Sequence, residues 1–273
     1  MPLNKPEPEY RGKTLSHWIA ETRDQGVRYI RSFAASALGE MGPEAKAAVP
    51  ARMELLKDKR STVRSAALCA LMKIGPEAKT AVPAIMELLK DEDMSLRRSA
   101  VLSLAEFGSD AVAAIPAITH WLEYDEWAKW FDVHLSLRRF GPVVIPTLMK
   151  LVKGRSRKKG LRLQSARTLE YFGPAAIPAF QELLKDTRGH VRRFAARTMG
   201  NFGSQAKTAI PALMELLTDD ESRIRQTAAW ALGRMGSEAE TAIPALTELL
   251  QLTDVDLRRT AAEALQKIKR ETT

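Results

Sequence analysis

The feature that most constrains this chain is a repeat of about thirty residues. A Gly recurs with a spacing of 30–33 residues, at positions 42, 75, 108, 141, 173, 203 and 236. A Val/Ile-Pro pair follows each Gly, with Pro at positions 50, 83, 116, 146, 178, 211 and 244. A period of this length is typical of stacked supersecondary units, so the sequence predicts an array of about eight repeats.

Each repeat is predicted to contain two helices. In the third repeat the first helix begins near Pro83, because the first turn of a helix tolerates a missing N–H. A polar turn at 90–94 leads into the second helix, and Gly108 ends that helix in the left-handed conformation that Gly adopts at little cost. One face of the second helix carries its core residues at helical spacing: Leu96, Ala100, Ser103, Leu104 and Phe107.

The segment "GPEAKTAVPAIMELLKDEDMSLRRSAVLSLAEFG" resembles the bacterial HEAT repeats, in the subgroup that includes phycobilisome-lyase-like proteins. The resemblance covers about residues 14–269. It implies an all-α fold, a right-handed α-solenoid of about eight helix pairs with the second helices on the concave side. It implies little about function, because such solenoids bind very different partners.

The domain prediction follows from the repeat frame. Residues 1–13 are expected to be a disordered or extended lead-in, and residues 14–273 a single solenoid. The centre, at about 109–172, departs from the repeat: two linkers are shorter, and Tyr124 and Trp130 replace an Asp and an Arg. Trp121 aligns with a core Leu and is expected to be buried, whereas Trp127 and Trp130 could belong to the core or to a site.

An Arg lies eleven residues before most of the closing glycines. Because this position follows the period of the scaffold, we interpret these arginines as structural. The family resemblance implies that each pairs with an Asp of its own turn, as in Asp58/Arg64, Asp91/Arg97, Asp186/Arg192 and Asp219/Arg225.

A basic run at 150–169 holds eight Lys or Arg and no acid, whereas the whole chain has 42 Lys+Arg against 33 Asp+Glu and a net charge of +9. One stretch therefore carries nearly all of the charge excess. Its first part is expected to form the turn between two helices, on one rim of the solenoid. This basic rim comprises Lys153, Arg155, Arg157, Lys158, Lys159 and Arg162.

The side of each second helix opposite its core is the candidate binding surface, at positions ten, six and three residues before the closing Gly. Arginines alternate there with apolar side chains, a combination typical of interface hot spots. The predicted partner-binding residues are Arg98, Leu102, Phe131, Leu135, Arg138, Leu163, Arg167, Arg193, Arg197, Trp230 and Arg259.

Catalytic and metal-binding patterns are weak in this sequence. None of the four His residues is followed by Glu, and Cys69 is the only Cys, so neither metal nor cofactor is expected. Trp121 and Asp125 resemble the Trp-x-x-x-Asp pair of DNA-glycosylase-like HEAT proteins, but the resemblance covers these two residues only.

No apolar run reaches the ~18–20 residues of a membrane span. The polar, proline-rich start does not resemble a signal peptide, and we expect a cytoplasmic protein.

The sequence therefore predicts a non-enzymatic scaffold or adaptor that binds a protein or an acidic peptide segment. The alternative is a nucleic-acid-binding protein that uses the basic 150–169 surface. A third hypothesis is a lyase or glycosylase-type enzyme subunit. The identity of the partner stays open.

We expect the purified protein to give an almost wholly α-helical circular dichroism spectrum and an elongated small-angle scattering profile, because each repeat contacts only its neighbours. A strong β signal or the profile of a compact sphere would contradict the repeat interpretation.

Overall fold

The structure is a computed structural model that describes residues 7–24, 29–124, 136–154 and 159–270. The described residues divide into two compact units, one within the ranges 1–147 and 156–164 and the other within 148–155 and 165–273. Helical structure dominates both, which confirms the predicted all-α solenoid class. The helices of the first unit are α1 Leu15–Glu21, α2 Ile30–Glu40, α3 Val49–Leu55, α4 Ser61–Ile74, α5 Val82–Glu87, α6 Met94–Glu106 and α7 Ile115–Tyr124.

Two further helices, α8 Ile145–Lys153 and α9 Lys159–Tyr171, include residues of both units. The remaining helices lie in the second unit and alternate between short and long. They are α10 Ile177–Leu183, α11 Gly189–Phe202, α12 Ile210–Glu215, α13 Ser222–Arg234, α14 Ile243–Glu248 and α15 Val255–Arg270.

The first helix of each repeat is short, and a 3₁₀ segment precedes it. In the third repeat this segment is Gly75–Ala81, and α5 begins with Val82 and Pro83 in its first turn. The proline position agrees with the sequence prediction. The 3₁₀ segment was not predicted, because its polar sequence carries no helical stripe.

The closing glycines all have positive φ, between 51° and 77°. The predicted left-handed helical conformation is nevertheless wrong in one angle, since ψ is −143° at Gly75 and −137° at Gly203. Positive φ with extended ψ is a region that is essentially restricted to Gly, so the constraint on these positions is stronger than the one we predicted.

The predicted core face of α6 is confirmed. Leu96, Ala100, Ser103, Leu104 and Phe107 are all buried. Alanines that align with Ala100 are fully buried in five other repeats: Ala34, Ala67, Ala195, Ala228 and Ala261. Small side chains at this position let neighbouring helices pack closely, as expected.

A short antiparallel strand pair overlaps the end of the predicted lead-in. Strands β1 (Glu9–Tyr10) and β2 (Lys13–Thr14) are joined by Arg11 and Gly12, whose φ angles are 52° and 71°. Positive φ at both central residues is what a type I′ hairpin turn requires. The indole N–H of Trp18 donates to the carbonyl of Tyr10 at 3.1 Å, which ties the hairpin to α1.

Arg52 occupies a core position in α3. Its repeat equivalents are apolar and fully buried: Ile85, Ile118, Leu148, Phe180, Leu213 and Leu246. Arg52 is itself 0% exposed, and none of its guanidinium nitrogens has a hydrogen-bond partner within the described ranges. Burial lowers the pKa of Arg52 to about 10, because the charged form loses hydration. A buried charge without a partner opposes folding.

We therefore expect Arg52→Ile to raise the free energy of unfolding by about 1–4 kcal/mol, since hydrophobic replacement of buried charge is often stabilising by this amount. Urea unfolding followed by circular dichroism measures the change. The matched control is Arg64→Ile: Arg64 is also buried but has hydrogen-bond partners, so its loss should destabilise the protein. Destabilisation by Arg52→Ile would show that Arg52 makes an essential contact.

Candidate functional site

A ladder of arginines connects consecutive repeats. Arg64 donates from Nη1 to the backbone carbonyl of Asp58, 2.8 Å away, and from Nη2 to the carboxylate of Asp91 at 2.8 Å. Arg192 repeats the arrangement, with Nη1 2.9 Å from the carbonyl of Asp186 and Nε 2.7 Å from the carboxylate of Asp219. Each of the four predicted Asp/Arg pairs is in contact, but through the backbone carbonyl of the Asp and not through its carboxylate. The guanidinium bonds the backbone of its own turn and the carboxylate of the next one.

The backbone half of this contact persists where the next Asp is missing. Arg225 donates to the carbonyl of Asp219 at 2.7 Å although Leu252 stands at the following Asp position. Arg258 donates to the carbonyl of Leu252 at 2.7 Å. Closure of the local turn is thus the common element of the ladder, and the carboxylate contact to the next repeat is added where an Asp is available.

The pKa of three turn carboxylates is lowered. For Asp58, burial opposes the shift of its pKa, and hydrogen bonds from Arg60 and Arg31 outweigh the burial. Hydrogen bonds from Arg192 hold the pKa of Asp219 below its usual value, and hydrogen bonds from Arg188 do the same for Asp186. Arg188 also donates from Nη2 to the carbonyl of Val152 at 3.0 Å. These arginines are engaged by their own chain and leave little hydrogen-bonding capacity for a partner.

The outward stripe is defined here by the positions ten and six residues before each closing Gly, or before its equivalent in the last repeat. Leu102 and Leu163 are 37% and 47% exposed, and Arg98 is half-buried. The arginines of the later repeats are exposed: Arg167, Arg193, Arg197 and Arg259. Arg259 pairs with Asp256 at 2.9 Å. Phe131 and Leu135 lie outside the described residues.

Positions three residues before the closing Gly are not outward, contrary to the sequence interpretation. Gly39, Ala105, Gly200 and Gly233 are buried, and Arg138 at this position is half-buried. A Cβ built on Gly233 would lie 2.7 Å from the Cα of Ala264, closer than such contacts allow. Consecutive second helices therefore contact each other at the positions three residues before the closing Gly.

Trp230 is half-buried, not exposed as the sequence interpretation placed it. A Cβ built on Gly200 would overlap the Trp230 ring and lie 2.9 Å from the Cα of Ala231. The ring therefore occupies the space that a side chain at position 200 would need. The sequence identified Trp230 but not its contact with Gly200. A Gly in one second helix and a Trp in the next could have indicated this contact.

An open pocket of about 270 Å³ lies beside the Trp230 ring. We call it the Trp230 pocket, and it is lined by Arg197, Gln226, Thr227, Trp230 and Thr260. The Gln226 amide donates to the hydroxyl of Thr260 at 3.2 Å, which links α13 to α15 across the pocket. Sequence reasoning missed the two threonines, because they lie one position away from the predicted stripe.

Only part of the predicted basic rim can be placed. Lys153 is exposed and pairs with Glu182, and Arg162 is half-buried. Lys159 is the first residue of α9. Arg155, Arg157 and Lys158 lie outside the described residues.

Trp121 is 7% exposed, so its predicted burial is confirmed. Trp127 and Trp130 lie outside the described ranges, and their assignment to core or site stays open.

Within the described part of the chain, no three His, Cys, Asp or Glu side chains come together as a metal site would require. None of the described helices is both long and apolar enough to cross a membrane.

Comparisons with known proteins identify the repeat. A family model described as HEAT repeats matches residues 15–82, 145–210 and 191–266. A search of the curated proteins finds no significant match.

Several solved structures are similar in fold. A crystal structure of a Kap121p mutant is 14% identical with a TM-score of 0.53, and the match covers 93% of this chain and 33% of that chain. An engineered protein is 24% identical with a TM-score of 0.47, covering 93% and 78%. Human deoxyhypusine hydroxylase in complex with glycerol is 17% identical with a TM-score of 0.41, covering 94% and 96%. At such identities the similarity concerns the fold alone.

The bond between Arg192 and the Asp219 carboxylate should make the free energy of unfolding depend on pH. Asp219→Asn should lower the free energy of unfolding near neutral pH by about 1–3 kcal/mol, because Arg192 loses a charged acceptor. The pKa of Asp219 is lowered in the folded state, so this stabilisation is complete above the unfolded pKa of about 4 and is lost as the pH falls through the lower folded pKa. Urea unfolding of wild type and variant across this range should show the two curves converging in acid.

The matched control for this pH series is Asp220→Asn, since the neighbouring Asp220 is exposed. A stability difference between wild type and Asp219→Asn that stays constant at every pH would contradict the role of the charge.

Proposed function

The chain belongs to the HEAT-repeat family, and on that premise we propose that it is a non-enzymatic scaffold that binds a protein segment on its outward stripe. The observation that carries the proposal is the contrast between neighbouring arginines. Arg192 is held by Asp219 and by the carbonyl of Asp186, whereas Arg193 and Arg197 are exposed. Neither of these two forms an ion pair with any residue that the structure describes.

Charge is segregated between the helices α10 to α14, and this supports an acidic partner, although α15 carries both signs, with Asp256 and Glu263 beside its basic residues. Helices α11 and α13 contain three Arg each and no Asp or Glu. The short helices α10, α12 and α14 each contain one Glu and no Lys or Arg. A surface of one sign attracts a ligand of the opposite sign and raises its rate of association.

An apolar group beside the arginines of the second unit favours a protein segment over a polyanion alone. Trp230 contributes apolar surface to a pocket that Arg197 also lines. Interfaces of proteins are enriched in aromatic side chains and Arg, and truncation of such residues often has the largest cost. The partner we propose is therefore an acidic segment that also carries apolar side chains.

Nucleic-acid binding through the basic run remains the alternative. The pairing of Lys153 with Glu182 removes one of its cations from that surface. The narrower resemblance to phycobilisome-lyase-like proteins, an enzyme-subunit role and a cytoplasmic location also remain predictions.

Affinity capture from an extract of the source cells, after nuclease treatment, tests the proposal. We expect proteins that bind the wild type to be lost with the Arg193→Glu/Arg197→Glu variant. The matched control is Lys185→Glu/Lys207→Glu, which reverses two exposed cations off the stripe. Capture that disappears with nuclease treatment, or that is unchanged by stripe reversal, would contradict the proposal.

A salt titration separates the alternative. If the protein binds duplex DNA, log K should fall with log salt by about 0.9 for each phosphate that is neutralised. Binding to DNA that is tight, steeply salt-dependent and insensitive to reversal of the stripe arginines would favour the basic run as the site.

A further inference from the structure

The Trp230 pocket is an open concavity on the outward stripe, and three consecutive second helices build it. Arg197 comes from α11, Trp230 and Gln226 from α13, and Thr260 from α15. All of them belong to the second unit. Its volume of about 270 Å³ lies below the roughly 300–1,000 Å³ of sites for drug-sized ligands, so the pocket suits a single side chain.

The backbone sets the orientation of the aromatic ring. Because Gly200 has no Cβ, α11 and α13 approach closely and the Trp230 ring lies against the backbone of α11. The Cε3–Cζ3 edge of the ring lies over Gly200, and the ring also lines the pocket. A half-buried aromatic ring offers contact area with little loss of side-chain entropy on binding, as anchor residues of interfaces do.

The polar groups of the pocket indicate what can lie beside an apolar side chain. Gln226 donates to the Thr260 hydroxyl, which itself donates to the carbonyl of Asp256 at 2.9 Å. The second N–H and the oxygen of the Gln226 amide suit a peptide backbone. Arg197 is exposed at the edge of the pocket, and Arg193 lies one helical turn before it. A carboxylate is the ligand that a guanidinium binds best among peptide side chains.

We propose that the Trp230 pocket is the anchor site for an extended acidic peptide segment, with one apolar side chain on the Trp230 ring and a nearby carboxylate on Arg197 or Arg193. This inference rests on the proposed scaffold function and adds the chemistry and position of the partner.

Geometry limits the spacing of the two anchor groups in the peptide. Packed helices lie about 8–10 Å apart, and an extended chain advances about 3.3 Å per residue. A segment that crosses from α13 to α11 therefore places its carboxylate two or three residues from its apolar anchor. Acidic residues further along the segment can raise the rate of association by electrostatic attraction, but they make no required contact.

Selection of a random twelve-residue peptide library on the immobilised full-length protein tests the inference. We expect the enriched peptides to carry Asp or Glu two or three residues from an aromatic or aliphatic residue. Fluorescence anisotropy with labelled copies of the enriched peptides then gives Kd for each variant. Trp230→Ala should weaken binding about thirtyfold, the effect of losing a hot spot of about 2 kcal/mol.

Arg197→Glu should weaken the same peptides tenfold or more, because it places a carboxylate against a carboxylate. Since Arg197 is exposed, this variant tests the site even if Trp230→Ala unfolds. The matched controls are Tyr171→Ala, an aromatic 59% exposed outside the pocket, and Lys185→Glu, an exposed cation off the stripe. Both controls should bind the peptides as the wild type does.

Each other result overturns the inference. If the enriched peptides are acidic but contain no apolar residue, the proposed role of Trp230 as an anchor is wrong. Peptides that bind equally to wild type, Trp230→Ala and Arg197→Glu would place the site elsewhere and leave the scaffold function standing. Failure to enrich any peptide would also refute the pocket, while affinity capture decides the scaffold function separately. Binding of the oligonucleotide (dT)20 that depends on Trp230 and Arg197, in place of peptide binding, would identify a nucleic-acid site.

Discussion

The structure of the repeat depends on one guanidinium that makes two different bonds. Arg192 donates to the backbone carbonyl of Asp186 in its own turn and to the carboxylate of Asp219 in the next. Because the guanidinium is planar and has donors on several edges, one side chain can close a turn and join it to the following repeat. Stacking of neighbours in these regular repeats is thus tied to local turn formation. Arg225 retains only the local bond, since Leu252 offers no carboxylate.

The same geometry separates structural from exposed arginines along one helix. Arg192 faces the turn, and Arg193, one residue or about 100° further round the helix, faces solvent. A basic helix such as α11 can therefore contribute both to the fold and to a binding surface. A count of charges in the sequence cannot make this distinction.

Close helix packing gives the outward stripe its shape. Gly200 and Gly233 bring the second helices of the last three repeats together, and Trp230 fills the space above Gly200. Arg52 shows the opposite case, a charged side chain in a core position where the other repeats have apolar residues. In an array whose repeats contact mainly their neighbours, such a local defect destabilises one junction without changing the fold.

The sequence by itself determined the repeat, the all-α class and the core. Positions of Gly, Pro and apolar residues report backbone conformation and burial, which are local or periodic properties, so residues such as Pro83, Leu96 and Ala100 were placed correctly. Partners across repeats were decided only by the tertiary structure. The carboxylate partner of Arg64 is Asp91, 27 residues away, and the burial of Gly200 depends on a ring from the next helix. These contacts depend on how far each helix is translated and rotated against the next, and that packing is the sum of many side-chain contacts that no single motif encodes.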